Sequence, residues 1–169
     1  MTKTIYLAGG CFWGMQKYLK LIHGVKATEV GFANGRTVDP SYKEVYTDTT
    51  GHSETVRVEY DADVLDLQDL ARFFFKAIDP LSVNQQGEDC GTRYRTGVYY
   101  TDESERDPIL EIFKETEDAV GAPLAVECCL LECFYSAEEY HQDYLDKNPQ
   151  GYCHLRPELF EYAKNLNRW

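Results

Sequence analysis

The feature that most constrains this chain is the passage from Thr4 to Ile22. A short apolar run, Thr4-Ile5-Tyr6-Leu7-Ala8, ends at Gly9-Gly10, and from Phe12 apolar residues recur at Met15, Leu19 and Ile22, the spacing of one helix face. A strand therefore runs through a glycine turn straight into a helix, and Cys11 stands at the junction. His23-Gly24 supplies the helix stop, and the β-branched and aromatic residues from Val25 to Ala33 predict a second strand.

Further along, Asn34 to Ser53 is rich in Asn, Gly, Asp, Pro and Thr and is long for a loop in a compact domain, which marks it as functional. It carries Tyr42, Tyr46 and His52. Glu54 to Tyr60 alternates, with Val56, Val58 and Tyr60 on one face, and by parity Glu54 belongs to that apolar face. Asp66 caps a helix bearing Leu67, Leu70, Phe74 and Ala77 that stops at Asp79-Pro80. After a polar segment from Ser82 to Thr96 come a strand at Val98-Tyr99-Tyr100, a helix over Asp107 to Val120 and a long strand from Leu124 to Phe134. Ser136 and Glu139 have the spacing of a capping box for a short helix. The loop Asn148-Pro149-Gln150-Gly151 introduces Cys153, and Pro157 starts a terminal helix. This order predicts an α+β fold: a two-layer sandwich of helices on a mixed or antiparallel sheet, a ferredoxin-like variant. We expect one catalytic domain over residues 1–169, with a C-terminal segment from about residue 146.

Composition narrows the function. The net charge of −12 without a basic run argues against nucleic acid, because each phosphate contact needs a Lys or Arg. No stretch approaches the roughly 20 apolar residues of a membrane span, and Met1-Thr2-Lys3-Thr4 does not open an export signal, so we expect a cytoplasmic protein. A monomer is expected as well, although nothing in the sequence fixes the oligomeric state. A reducing cytoplasm keeps thiols free, so the six cysteines are core residues, ligands or redox groups rather than a disulfide scaffold.

Cys11 is the candidate nucleophile. A free cysteine under a tight turn is often plain core, but here glycines allow close backbone approach, and the free N–H groups and dipole of a helix N-terminus should lower the thiol pKa below its usual ~8.5. Phe12 and Trp13 add an apolar wall. Glu54 has two readings here: a strand-end acid turned to solvent or capping a loop, or a carboxyl desolvated on the apolar face, kept protonated near neutral pH and so able to donate.

The segment Gly10-Cys11-Phe12-Trp13-Gly14 resembles the active-site motif of the A-type peptide methionine sulfoxide reductases. The resemblance continues through Gly51-His52-Ser53-Glu54-Thr55-Val56, Gln85-Gln86-Gly87-Glu88-Asp89, Tyr94-Arg95, Glu139-Tyr140-His141-Gln142, Asn148-Pro149 and Gly151-Tyr152-Cys153, in order and over nearly the whole chain. It implies thiol-dependent reduction of the S epimer of methionine sulfoxide, free or in proteins, in repair of oxidative damage. By the same resemblance Cys11 becomes a sulfenic acid, Glu54 gives the proton, and Tyr42 and Tyr94 donate to the oxygen. Asp89 helps to position the substrate or its water, Phe12 and Trp13 hold the methyl group, and Cys153 closes a Cys11–Cys153 disulfide that thioredoxin reduces. It implies no metal and no organic cofactor. Many members end in a glycine-rich tail with another cysteine, whereas this chain continues Leu155-Arg156-Pro157 into a helical pattern with no later cysteine, a departure from the family pattern that leaves a third relay step open.

Other readings remain beside this one. Cys128, Cys129 and Cys133 with His141 or Cys153-His154 could surround zinc, though the paired C-x₂-C spacing is missing. Cys11 with His52 or His141 could form a cysteine hydrolase. Inertness of Cys11 to an alkylating agent at pH 6 would favour a non-catalytic peptide-binding module. Cys128 and Cys129, consecutive on a strand, should face opposite sides as packing residues; Cys90, beside Asp89, is an alternative resolving thiol. We expect His52 to shape its loop and His141 to be structural.

Overall fold

β1 (Thr2–Gly9) ends at the predicted glycine pair in a computed structural model that describes residues 1–166. Gly10 takes a left-handed φ of 89°, and a Cβ there would lie 2.8 Å from the Cβ of Gln86, so the turn favours glycine twice over. α1 (Phe12–Lys20) starts at once and buries Phe12, Met15, Tyr18 and Leu19.

The chain continues through β2 (Val25–Ala33), α2 (Tyr42–Tyr46), β3 (Ser53–Asp61) and α3 (Leu67–Lys76). A two-residue hairpin follows, β4 (Gln85–Gln86) with β5 (Asp89–Cys90), then β6 (Thr96–Tyr100) and α4 (Arg106–Val120). Two short strands, β7 (Glu127–Leu130) and β8 (Phe134–Ser136), precede α5 (Tyr144–Lys147) and α6 (Pro157–Asn165).

Six strands form one sheet in the order β7-β6-β1-β3-β2-β8. β3 lies between β1 and β2, antiparallel to both, and β1 lies between β3 and β6, antiparallel to both. The units β1-α1-β2 and β3-α3-β6 are therefore each split by a strand of the other, the interleaving of a ferredoxin-like core. β7 joins parallel to β6 and β8 antiparallel to β2, which makes the sheet mixed. One face, with Ile5, Leu7, Val30, Phe32, Val56, Val58, Tyr60, Val98 and Tyr100, packs with the helices into the main core. On the other face Ala8, Ala33 and Tyr99 form a small cluster with Tyr6, Cys129 and Phe134. The α+β sandwich expected from the element order is the observed class.

The long strand expected over Leu124 to Phe134 is two short strands on opposite edges of the sheet. Asn34, at φ 55°, breaks it: its Oδ1 accepts from the Glu132 N–H at 2.7 Å and its own N–H donates to the Cys133 carbonyl at 3.1 Å. Only four residue steps separate Leu130 from Phe134, at most about 14 Å of chain, whereas the edges of a flat six-strand sheet lie about 24 Å apart. The sheet is rolled towards a barrel, and Asn34 ties its seam.

The capping box expected at Ser136 and Glu139 does not form. Ser136 is held in β8 opposite Gly31, and the Glu139–His141 turn is a 3₁₀ element entered from Glu138. The same spacing does form a box at Ser41 and Glu44, where it opens α2 inside the stretch expected to be a loop.

Candidate active site

The sheet sets the first two residues of the site. Cys11 is the N-cap residue of α1 and is 5% exposed. Glu54 lies on the helix-covered face of β3, in phase with Val56 and Val58, and is 1% exposed. The Phe12 N–H donates to Glu54 Oε1 at 3.1 Å, so the carboxyl is anchored to the residue beside the thiol, while Oε2 is buried without a partner. Burial pushes Glu54 up to about 8, against the opposing pull of the Phe12 amide and the Arg93 charge. A carboxyl with that value is protonated at neutral pH.

The expected lowering of the Cys11 pKa is overturned. The Trp13 and Gly14 amides do pull it down, as a helix N-terminus should, but burial and then the Glu54 carboxyl raise it well above the ordinary thiol range. Desolvation outweighs the dipole because almost no water reaches the sulfur. Inertness to alkylation at pH 6 therefore no longer distinguishes a binding module from a resting enzyme.

The remaining expected residues come from irregular segments. Tyr42 opens α2, its N–H shared between both carboxylate oxygens of Glu138 at 3.3 Å. Tyr94 ends a 3₁₀ turn, Thr92–Tyr94, and is buried. Burial, and then the Glu54 carboxyl, hold both phenols protonated; Tyr42 also feels Tyr94 and Cys11, which places these groups in one cluster. Asp89 sits on the β4–β5 hairpin opposite Gln86, its carboxyl raised by burial and its Oδ2 unpartnered. Phe12 is fully buried among Phe32, Tyr42 and His141, while Trp13 is partly exposed, its ring stacked 3.8 Å from Tyr144.

Cys153 packs over α1. A Cβ on Gly14 would stand 3.1 Å from Cys153 Sγ and 3.2 Å from His154 Nδ1, so glycine at this position lets the later chain lie one helical turn from Cys11. Both thiols are free.

Arg93 escaped the sequence reading, which gave His141 a structural place and His154 only a possible one at zinc. Arg93 pairs with Asp48 at 2.9 Å and lies between the rings of Tyr46 (4.3 Å) and Tyr94 (4.4 Å), clamping the phenol side of the site. His141 accepts the Trp13 indole N–H at 3.0 Å on Nδ1. His154 donates Nε2–H to the Gly9 carbonyl at 3.1 Å. None of these has a periodicity, because each depends on a partner far away in sequence. His52 accepts from the Gly35 N–H and meets the Thr37 carbonyl, tying its loop as expected.

Cys128 faces the main core and Cys129 the small cluster, and Cys90 is exposed on the hairpin. No group of three His, Cys, Asp or Glu side chains converges as metal ligands among the described residues. A cleft of about 520 Å³ beyond the end of α1, against α3 and α6, is lined by Leu65, Phe73 and Tyr162, with no cysteine among its described lining residues. By contrast, two buried polar atoms without partners among the described residues, Glu54 Oε2 and Asp89 Oδ2, belong to carboxyls whose charge bears on Cys11. Buried polar groups are normally paired, so this pair beside Cys11 is a polar seat set for a ligand.

The comparisons with known proteins agree with this geometry. The family profile described as peptide methionine sulfoxide reductase matches residues 3–169. The peptide methionine sulfoxide reductase MsrA of Lachnoclostridium phytofermentans is 53% identical over 165 residues, covering 98% of this chain and 99% of that protein. The crystal structure of reduced Mxr1 from Saccharomyces cerevisiae superposes with a TM-score of 0.86 at 38% identity, covering 90% of this chain and 88% of that one. Mxr1 in complex with Trx2 superposes at 0.60 and 25% identity over 85% of this chain and 84% of its own. With a cysteine at a helix mouth, a protonated glutamic acid bound to its neighbour, and similarity along the whole chain, this protein belongs to the peptide methionine sulfoxide reductases.

Proposed function

We propose that Cys11 takes the oxygen of the S epimer of methionine sulfoxide, free or in proteins, and that Cys153 and a thioredoxin then restore it. The observation that carries this is the Cys11–Phe12–Glu54 arrangement, a buried thiol next to a carboxyl that keeps its proton up to about pH 8. When the sulfoxide enters, the Cys11 sulfur attacks the substrate sulfur, and the oxygen gains negative charge. Glu54 supplies a proton to it while Tyr42 and Tyr94, both protonated, donate hydrogen bonds. The oxygen ends on Cys11 as a sulfenic acid, the proton that the Cys11 thiol sheds on attack returns to the Glu54 carboxylate, and methionine leaves. Trp13 and Phe12 face the methyl group, and Asp89 orients the substrate or its water.

A neutral resting thiol and a neutral Glu54 fit this scheme, because a charged pair would repel across the same dry space. Cys153 lies over Gly14 and is the thiol we assign to the second step; its product is the Cys11–Cys153 disulfide, opened by exchange. The Mxr1–Trx2 complex supports a thioredoxin as the electron donor. In this reading the 1–169 chain is one catalytic unit with a resolving segment from about residue 146, works with thiols alone, and acts in the cytoplasm, in keeping with six free cysteines. No described helix is long and apolar enough to cross a membrane.

The test is stoichiometric. Pre-reduced protein is mixed with the separated S and R epimers of a methionine sulfoxide peptide, without added reductant, and its intact mass is measured. Methionine from the S epimer alone, with loss of two hydrogens mapping to Cys11 and Cys153, is the expected result. No methionine from either epimer would refute the reaction.

A further inference from the structure

The imidazole of His154 is fixed in one tautomer by the backbone. Its Nε2 lies 3.1 Å from the Gly9 carbonyl, which can only accept, so Nε2 carries the proton and Nδ1 is the bare lone pair. That Nδ1 is buried and has no partner among the described residues. Nδ1 and Cys153 Sγ both lie within 3.2 Å of the same point, the place a Cβ on Gly14 would occupy. The thiol of Cys153 meanwhile donates to the Leu155 carbonyl at 3.6 Å, a weak bond that a rotation of the side chain breaks. A sulfur, a vacant base and a glycine gap thus meet one helical turn from Cys11.

We propose that His154 Nδ1 is the general base of the resolving step, taking the proton of Cys153 as its sulfur attacks the Cys11 sulfenic acid. The inference rests on Cys153 being the resolving thiol. In the step, a bond forms between the two sulfurs, the S–O bond of the sulfenic acid breaks, and the oxygen departs as hydroxide. The proton held on Nδ1 joins it to make water. Cys153 is oxidised from thiol to disulfide and Cys11 is reduced from sulfenic acid to disulfide, so no outside oxidant or reductant enters.

The surroundings suit the role. Burial raises the Cys153 thiol above its ordinary range, so the sulfur needs a base at neutral pH. Burial lowers His154, which keeps it neutral and ready to accept. The charges that bear on the pair are Asp89 and Lys17, and His154 also lines a cleft of about 240 Å³ with Lys76, Asp79 and Arg156.

The test separates the two chemical steps by rapid quench. Reduced wild type and the His154→Gln variant are each mixed with one equivalent of the S-epimer peptide; methionine is counted by chromatography and disulfide by intact mass after alkylation. Glutamine can still donate to the Gly9 carbonyl but has no basic atom. The expected result is an unchanged methionine burst, which also shows that the variant folds. Disulfide closure at pH 7 should slow about 100-fold and then rise about tenfold per pH unit as Cys153 ionises. Added imidazole should accelerate closure in His154→Ala, which a merely structural histidine would not allow. Closure at the wild-type rate in His154→Gln, or no effect of imidazole on a slowed His154→Ala, overturns the base assignment. A wild type that makes methionine without joining Cys11 to Cys153 overturns the underlying reading instead, and does so without any variant.

Discussion

The two thiols are held in opposite ways. Cys11 sits between β1 and α1, on a frame in which β1, β3 and β6 are laced by backbone hydrogen bonds and Glu54 is hung from the same lattice. The stretch from Ala137 to Arg156, which carries Cys153, has one helix of four residues and is pinned by side chains. The Gln142 amide pairs with both N–H and C=O of Val30 at 2.9 Å, taking the place of a strand, and the Gln16 carbonyl accepts from the Asp143 N–H at 2.8 Å. Lys20 meets Asp143 and Asp146, and beyond Gly151 the holds shown for Cys153 and His154 are single bonds to Leu155 and Gly9. A sheet hydrogen-bond ladder breaks only cooperatively, whereas a single side-chain bond is worth about 1 kcal/mol. The thiol proposed as nucleophile is fixed, and the one proposed to travel to it is loosely tied.

Replacing each thiol in turn is the strongest way to break this contrast. Cys11→Ser should yield no methionine at all, since no other thiol lies in the Glu54 site. Cys153→Ser should give one methionine per molecule and then stop, leaving a sulfenic acid that a trapping diketone will label. If the Cys153 variant cycles normally with thioredoxin, the mobile thiol has been misassigned and Cys90, exposed on the neighbouring hairpin, is the next candidate.

Glu54→Gln tests the fixed side. The variant should reduce the methionine-forming rate about 100- to 1,000-fold, the range of a lost general acid. The wild-type rate should also fall above about pH 8 as Glu54 loses its proton, and the variant should lack that fall. Stability carries the same signature. The folded value of about 8 lies above the ordinary 4.5, so Glu54's contribution is whole below about pH 4.5 and is lost as pH rises through 8. Denaturant titrations should therefore show wild type losing a few kcal/mol relative to Glu54→Gln between those limits.

The same contrast explains what could be read from the sequence. Period-two alternation put Glu54 on the buried face, and the glycine pair marked the turn before Cys11, because both are local patterns. Ser41-x-x-Glu44 and Ser136-x-x-Glu139 are equivalent as strings, yet only the first becomes a cap, since β2 captures Ser136 into a strand. The apolar run from Leu124 to Phe134 was cut by Asn34, about a hundred residues earlier. The sign of the Cys11 shift was misjudged because the helix dipole is visible in sequence and the depth of burial is not. Arg93, His141 and His154 act through partners distant in sequence, Asp48, Trp13 and Gly9, which leave no spacing to detect.

The smallest expected effect tests whether one such contact positions the fixed side from the loose one. His141, 1% exposed, accepts the Trp13 indole N–H and lies 4.3 Å from the Tyr42 ring, while Tyr144 stacks on the Trp13 ring. Burial lowers its pKa, so Nδ1 is free to accept at neutral pH. His141→Phe keeps a ring in the aromatic stack but removes the acceptor, leaving the indole unanchored. The loss of one hydrogen bond, about 1 kcal/mol, should raise KM for the sulfoxide peptide roughly fivefold while kcat changes little. His141→Asn offers a carbonyl oxygen near the lost nitrogen and should recover part of KM. An equal rise of KM in both variants would mean that the ring's packing, and not its acceptor, holds Trp13 in place. A fall in kcat with KM unchanged would mean that the irregular segment reaches the reacting atoms themselves, and the division between fixed and loose halves would have to be redrawn through His141.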